Sequence, residues 1–291
     1  MSDPNFDSIS PSAKSLLLTK ALTTIPFAKE AARLIWGENS LQYGQKRLSS
    51  KGFFLRLVHF ESRYWSIDAA LSEIGLKNIL EFSSGFSFRG LSMCQDPEVY
   101  YVDTDLPQIM EVKKILVQEL GARFCDYPVD HLFLRELNVL DEDAFTEMVN
   151  LLPAACPVAI INEGLLVYLD EGQKRQLCAI IHDLLSERGG YWITADIYLK
   201  KEKQDAIAKG FYDEKGTQFL EEHNVEENKF ESFESAETFF KDCGFEIYMK
   251  IEPPAEQISS RKLIEKNPGI NLGDIKGRKK TRETWILKIA E

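Results

Sequence analysis

The sequence has no apolar run approaching the roughly 18 residues that span a bilayer, no C-x-x-C pair, and no histidine spacing suited to a metal ion. Its first residues carry Asp3 and Asp7 and lack the apolar stretch of a secretory leader. The five cysteines, Cys94, Cys125, Cys156, Cys178 and Cys243, are odd in number and widely spaced. That pattern reads as reduced thiols in a cytoplasmic protein. Basic excess is also missing: the formal net charge is −11. This disfavours nonspecific nucleic-acid binding and an anionic membrane as partners. The basic run Lys276, Arg278, Lys279 and Lys280 sits in a polar stretch and reads as solvated. No internal repeat or low-complexity segment occurs. What remains is a 291-residue chain, 44% hydrophobic, enough for one large packed domain over residues 1–291.

Residues 1–75 read as a helical cover, helix-rich over 11–36 with Pro26 interrupting, then a helix over 53–75 that stops at a glycine. After Gly75 the rhythm alternates. Strands are expected at "NILEFSS", "VYYVDTD" (99–105), "HLFLREL" (131–137), "CPVAIINEG" (156–164) and "GYWITADIYL" (190–199), with helical patterns between them. Near-continuous apolar strands alternating with helices predict a doubly wound, mostly parallel α/β sheet. The tail predicts a short helix and two further strands, "FEIYMKIE" and "RETWILKIA", as an antiparallel hairpin at the sheet edge. That makes seven strands. Residues 200–235 are charged and read as a lid-like insertion.

Ligands of such sheets bind at the carboxyl ends of strands. The first strand ends in E-x-S-x-G-x-S, Glu81 to Ser87, with Gly85 at its centre. With glycine at both outer serines this is a cofactor loop, and Ser83 and Ser87 then need backbone angles that glycine adopts more easily. An ordinary strand-to-helix turn is the other reading. Asp105 ends the second strand twenty positions after Gly85, where a carboxylate can take both hydroxyls of a ribose. The third strand leads to Asn138, with Glu136 the competing choice for an adenine edge. The fourth ends in Asn162 and Glu163, a carboxylate that needs a positive group to face. The loop has no G-K-[ST] and no lysine or arginine where a pyrophosphate would lie. Glu81, Asp105 and Glu163 therefore suit a cationic, ribose-bearing cofactor, a description that fits S-adenosylmethionine.

"NEGLLVYL" (162–169) resembles the E-G-L-L-x-Y-L signature of the leucine carboxyl methyltransferase family, which includes bacterial polyketide O-methyltransferases. "SRYWSIDAAL", "ILEFSSGFSFR", "YYVDTDLP" and the N-terminal "ISPSAK" are similar to that family's other motifs in order and spacing. The resemblance covers nearly the whole chain. It implies a Rossmann-like methyltransferase fold. It also implies transfer of a methyl from S-adenosylmethionine to an oxygen of a small-molecule acceptor. By position, Lys14 and Arg63 would hold the cofactor's carboxylate, Ser83 and Gly85 its methionine end, Asp105 the ribose, and Asn138 or Glu136 the adenine. Glu163 would face the amino group and Tyr168 the methyl. Ser83 and Ser87 depart from the family's glycine and aspartate, so a noncatalytic binding relative is an alternative. A nucleotide-dependent oxidoreductase on a related sheet is another. His59 and His182 fall on helices, His131 at the far end of a strand and His223 in the charged insertion. With no histidine along the strand ends, a carboxylate acceptor, which needs no base, is expected.

Overall fold

The computed structural model describes residues 11–48, 50–126, 128–200, 218, 221–263 and 280–290. Helices α1 (Pro11–Lys20), α2 (Ala28–Trp36), α3 (Ser40–Arg47) and α4 (Lys51–Ile74) precede the first strand. The alternating part follows: β1 (Asn78–Phe82), α5 (Arg89–Met93), β2 (Tyr100–Asp105), α6 (Pro107–Phe124), β3 (Leu132–Glu136), α7 (Glu142–Val149), β4 (Val158–Asn162), α8 (Glu171–Arg188) and β5 (Gly190–Tyr198). The tail supplies α9 (Phe233–Asp242), β6 (Phe245–Ile251) and β7 (Arg282–Ile289).

The seven strands form one sheet in the order β3-β2-β1-β4-β5-β7-β6. β1 to β5 run parallel, and β7 runs antiparallel to both its neighbours. Every residue of β1 and β4 is buried, as central strands covered on two faces must be. Side chains alternate between the faces. Leu80, Ile160, Trp192 and Leu287 pack on α7, α8 and α9, while Ile79, Ile161, Ile193 and Ile286 pack on α4. A further cluster joins α1 and α2 to α5 and α6 through Leu17, Ala28, Leu91, Val112 and Leu116. The doubly wound α/β architecture is thus as expected. α8 starts at a reciprocal cap: Asp170 accepts from the Gln173 amide at 2.8 Å, and the Gln173 side chain accepts from the Asp170 amide at 3.0 Å.

The tail forms the expected hairpin at the sheet edge, and the structure adds which arm lies inside. β6 and β7 pair antiparallel, and β7 lies inside the sheet, between β5 and β6, with Trp285, Ile286 and Leu287 buried. Its near-continuous apolar run is that of a central strand. α3 and α5 had no expected bounds of their own, being short and weakly patterned. Of the stretch read as a lid, 201–217, 219 and 220 lie outside the described residues, as do Lys276, Arg278 and Lys279. Leu199 and Phe230 bridge its two ends. Among the described residues no helix is long and apolar enough to cross a membrane.

Candidate functional site

The parallel register brings Phe82 level with Asn162, Glu81 with Asp103, and Asp105 with Glu136, so the carboxyl ends of β1, β2, β3 and β4 share one edge. From β1 the chain winds outward through β2 to β3 on one side, and from β4 to β5 on the other, so the switch point of the sheet lies at β1 and β4. The loop after β1 turns sharply there. Ser83 has φ +52° and Gly85 φ +53°. Ser83 thus adopts the left-handed conformation that the comparison with a glycine loop requires, whereas Ser87 does not. Instead the Ser87 amide donates to the Ser84 carbonyl at 2.9 Å. The loop is tied down from β2. The Ser84 amide donates to the Thr104 carbonyl, and its hydroxyl donates to Asp103 Oδ1 at 2.6 Å. Lys113 of α6, fully buried, donates to both Ser84 Oγ and Asp103 Oδ1. Asp105 Oδ2 accepts from the Gly85 amide at 2.6 Å, and Oδ1 from the Leu106 amide at 2.7 Å. Burial raises the Asp105 carboxyl, against those two amide bonds.

Behind the loop lies a buried network of ionisable side chains. Glu163, just past β4, meets Lys20 of α1 at 2.8 Å, Arg63 of α4 at 3.1 Å and Arg89 of α5 at 3.4 Å. Burial alone would raise its carboxyl; the three cations outweigh this and hold it well below the usual carboxylate range. Lys20 is itself lowered by burial, which Glu163 only partly offsets. Arg89, without exposed surface, also grips Glu81 at 2.5 Å and Asp68 at 2.6 Å. The Tyr101 hydroxyl donates to Glu81 at 2.6 Å.

Three of the expected site residues have partners within the chain. Glu81 lies under the loop as the partner of Arg89 and Tyr101, not at its surface. Glu163 does face positive groups, Lys20, Arg63 and Arg89, whose hydrogen bonds take three of its about four acceptor positions. Lys14 is exposed, with its ammonium 5.1 Å from the centre of the Trp36 ring, and Lys20 takes the buried place near Arg63. Asn138 and Glu136 both remain exposed at the end of β3; Asn138 Oδ1 accepts from the Leu140 amide, and Glu136 pairs with Lys114.

Toward β5 the site changes character. Asp196, buried, accepts from Asn162 Nδ2 and from the amides of Gly164 and Leu165, each at 2.7 Å, and from the Leu166 amide at 3.2 Å. This pins the turn that carries Tyr168. Arg63 lies against that turn: a Cβ at Gly164 would fall 3.2 Å from its guanidinium nitrogens. Arg63 Nη1 donates to the Tyr198 hydroxyl at 3.3 Å, and His59 Nε2 lies 2.8 Å from the same oxygen. Tyr168, 37% exposed, meets the His223 ring edge-on at 6.2 Å. Burial raises its hydroxyl, with Arg63 acting in the opposite sense.

Neither a protein-family model nor a curated protein matches the chain. Solved structures similar to it include mitomycin 7-O-methyltransferase, with 12% identity over 98% of this chain and 73% of that one, TM-score 0.49. Others are the methyltransferase domain of a bacterial Hen1, with 11% identity over 78% and 98%, TM-score 0.47, and the N,N-8-amino-8-demethyl-D-riboflavin dimethyltransferase of Streptomyces davawensis. The last has 11% identity over 96% and 69%, TM-score 0.46. Their acceptors include both oxygen and nitrogen, and belong to those proteins.

Sequence reasoning missed Lys20, His59, Asp196 and Tyr198. Asp196 carried the signal used for Glu163, a carboxylate ending an apolar run, and could have been found by it. His59 and Arg63 are four positions apart, one helical turn, but nothing local says that their face of α4 meets β5. A groove near Ser72, Gly75, Lys77 and Asp96 opens at the amino ends of β1 and β2 and shares Asp68 with the network around Arg89. Among the described residues no cluster could hold a metal ion.

Proposed function

We propose that the chain is a methyltransferase that binds S-adenosylmethionine over the loop 83–87 and transfers its methyl to an oxygen of a small molecule. The carrying observation is the Asp105 carboxylate bonded to the Gly85 amide at 2.6 Å at the switch point of the sheet. A carboxylate offers about four acceptor positions. Asp105 uses two on Gly85 and Leu106, leaving one on each oxygen for the two ribose hydroxyls. Ser83 and Gly85 line the methionine end, and Arg63, with Lys20 in the place expected for Lys14, holds the cofactor's carboxylate. Asn138 or Glu136 meets the adenine, and Tyr168 borders the methyl. The motif order from Arg63 to Tyr168 supports the leucine carboxyl methyltransferase group as the finer reading.

The bound cofactor supplies a methyl on a sulfonium, a good leaving group. The chain's own task is then to orient the acceptor in line and exclude water. Asp196 fixes the turn bearing Tyr168, and Arg63 fixes the Tyr198 hydroxyl. The ground for a carboxylate acceptor was the lack of a histidine at the strand ends, and His59 beside Tyr198 removes that ground. His59 supports a second reading, a hydroxyl acceptor deprotonated at this end of β5.

Calorimetry with S-adenosylmethionine and its demethylated product tests the proposal. Saturable heat is expected; none at millimolar ligand overturns it. Preference for a nicotinamide nucleotide would support an oxidoreductase instead, and binding without turnover on any acceptor would mark a noncatalytic relative.

A further inference from the structure

On the face of the sheet covered by α8 and α9, two cysteines meet outside the site just described. Cys178, on α8, belongs to the core cluster beneath these helices, and Cys243, which follows the last residue of α9, packs against that cluster. Cys178 is buried and Cys243 is half-buried, open to solvent on one side. Arg175, one turn before Cys178, donates from Nη1 to Cys243 Sγ at 3.8 Å. Its guanidinium is held in place by Glu171 at 2.9 Å and by the Phe239 ring at 5.0 Å. The turn is pressed onto the helix: at Gly244, with φ +85°, a Cβ would fall 2.8 Å from the His182 ring. Arg175, Cys178 and His182 thus form one stripe of α8 along which residues 243 and 244 lie.

We propose that Cys243 and Cys178 form a site of oxidation by hydroperoxides, Cys243 as the attacking thiol and Cys178 as the resolving one. The Cys243 thiolate attacks the distal oxygen of the hydroperoxide. The O–O bond breaks, the alkoxide (hydroxide, from hydrogen peroxide) leaves and takes from solvent the proton that the thiol had released, and Cys243 becomes a sulfenic acid. The Cys178 sulfur then attacks the Cys243 sulfur, its proton passes to the departing hydroxyl, and water leaves as the S–S bond forms. The two thiols lose two electrons, and the hydroperoxide gains them. The local charges favour this order. The adjoining Cys178 thiol and then Arg175 lower the Cys243 thiol from its ordinary value, against burial and Asp242. The Cys243 thiol and burial push Cys178 up. The C-terminus of α9 opposes a thiolate at Cys243, so the arginine is the group to test.

The test is peptide mapping of the full chain after hydrogen peroxide, without reductant. A Cys178–Cys243 disulfide is expected in the wild type, and dimedone-trapped Cys243 in Cys178→Ser. Arg175→Gln should slow oxidation of Cys243 several-fold. Should either variant fail to fold, graded-pH alkylation of the wild type by iodoacetamide decides: Cys243 should label ahead of the exposed Cys156. Labelling of Cys156 first, or peroxide oxidation that leaves the 178–243 pair unlinked, overturns the proposal.

Discussion

At the scale of single residues, Ser83 and Asp105 hold the loop between them. A non-glycine at φ +52° is strained by roughly 1–2 kcal/mol, while glycine costs about 0.5–1 kcal/mol in chain entropy. Ser83→Gly should therefore leave the urea midpoint unchanged or slightly raised, and ligand affinity equal or better. A clear loss of affinity would mean that the Ser83 hydroxyl makes a contact of its own. Asp105→Ala should weaken S-adenosylmethionine binding by about 2–4 kcal/mol, since two hydroxyls lose a charged acceptor. Unchanged calorimetry would move the ribose elsewhere. His59 separates the two kinds of acceptor. If a hydroxyl is methylated, His59→Ala should lower kcat by about 10²–10⁴-fold, and the wild-type rate should rise with pH below the base's pKa. A flat profile between about pH 6 and 8.5, with a loss under tenfold, would return the acceptor to a carboxylate.

At the scale of elements, Glu163 is where α1, α4 and α5 converge on the end of β4. Replacing it by glutamine leaves Lys20, Arg63 and Arg89 without their common counter-charge, which should cost about 3–5 kcal/mol at pH 7. The pH dependence has a definite sign. The folded-state value of Glu163 is depressed, so its contribution is complete above the unfolded value of about 4.3 and is lost as pH falls below it. Burial raises Asp68, Glu81 and Asp103, and their linkage runs the other way. The readout is therefore the difference between wild type and Glu163→Gln in urea melts, which should narrow below about pH 4. A gap independent of pH would show that geometry rather than charge is being lost. This level was only partly legible beforehand. Apolar alternation and glycine stops marked the strands and α4. Motif order pointed to Arg63, Gly85, Asp105 and Glu163. Which cations reach Glu163 depends on how α1 lies across α4, a tertiary fact with no local pattern. Lys20 was therefore missed and Lys14 chosen in its place.

At the scale of the whole molecule, the sheet was legible but the place of its last strand was not. Five alternating βα units dictate a parallel sheet. A hairpin drawn at the edge and one whose second arm enters the sheet have the same strand pattern. The apolar core of β7, buried on both faces, was the available clue. In native-state hydrogen exchange the amides of Trp285, Ile286 and Leu287 should be as protected as those of β1 and β4. Exchange as fast as at β6 would show β7 to be an edge element that opens independently.

That placement also governs the order of events during synthesis. β6 emerges from the ribosome some thirty residues before the strand that must separate it from β5. Until residues 282–289 are released, the edge of β5 is unpaired, and a nascent β6 that docked there would occupy the place of β7 in a register that must later be undone. The sheet thus stays unfinished until residues 282–289 are made, and their pairing is the closing step of the fold.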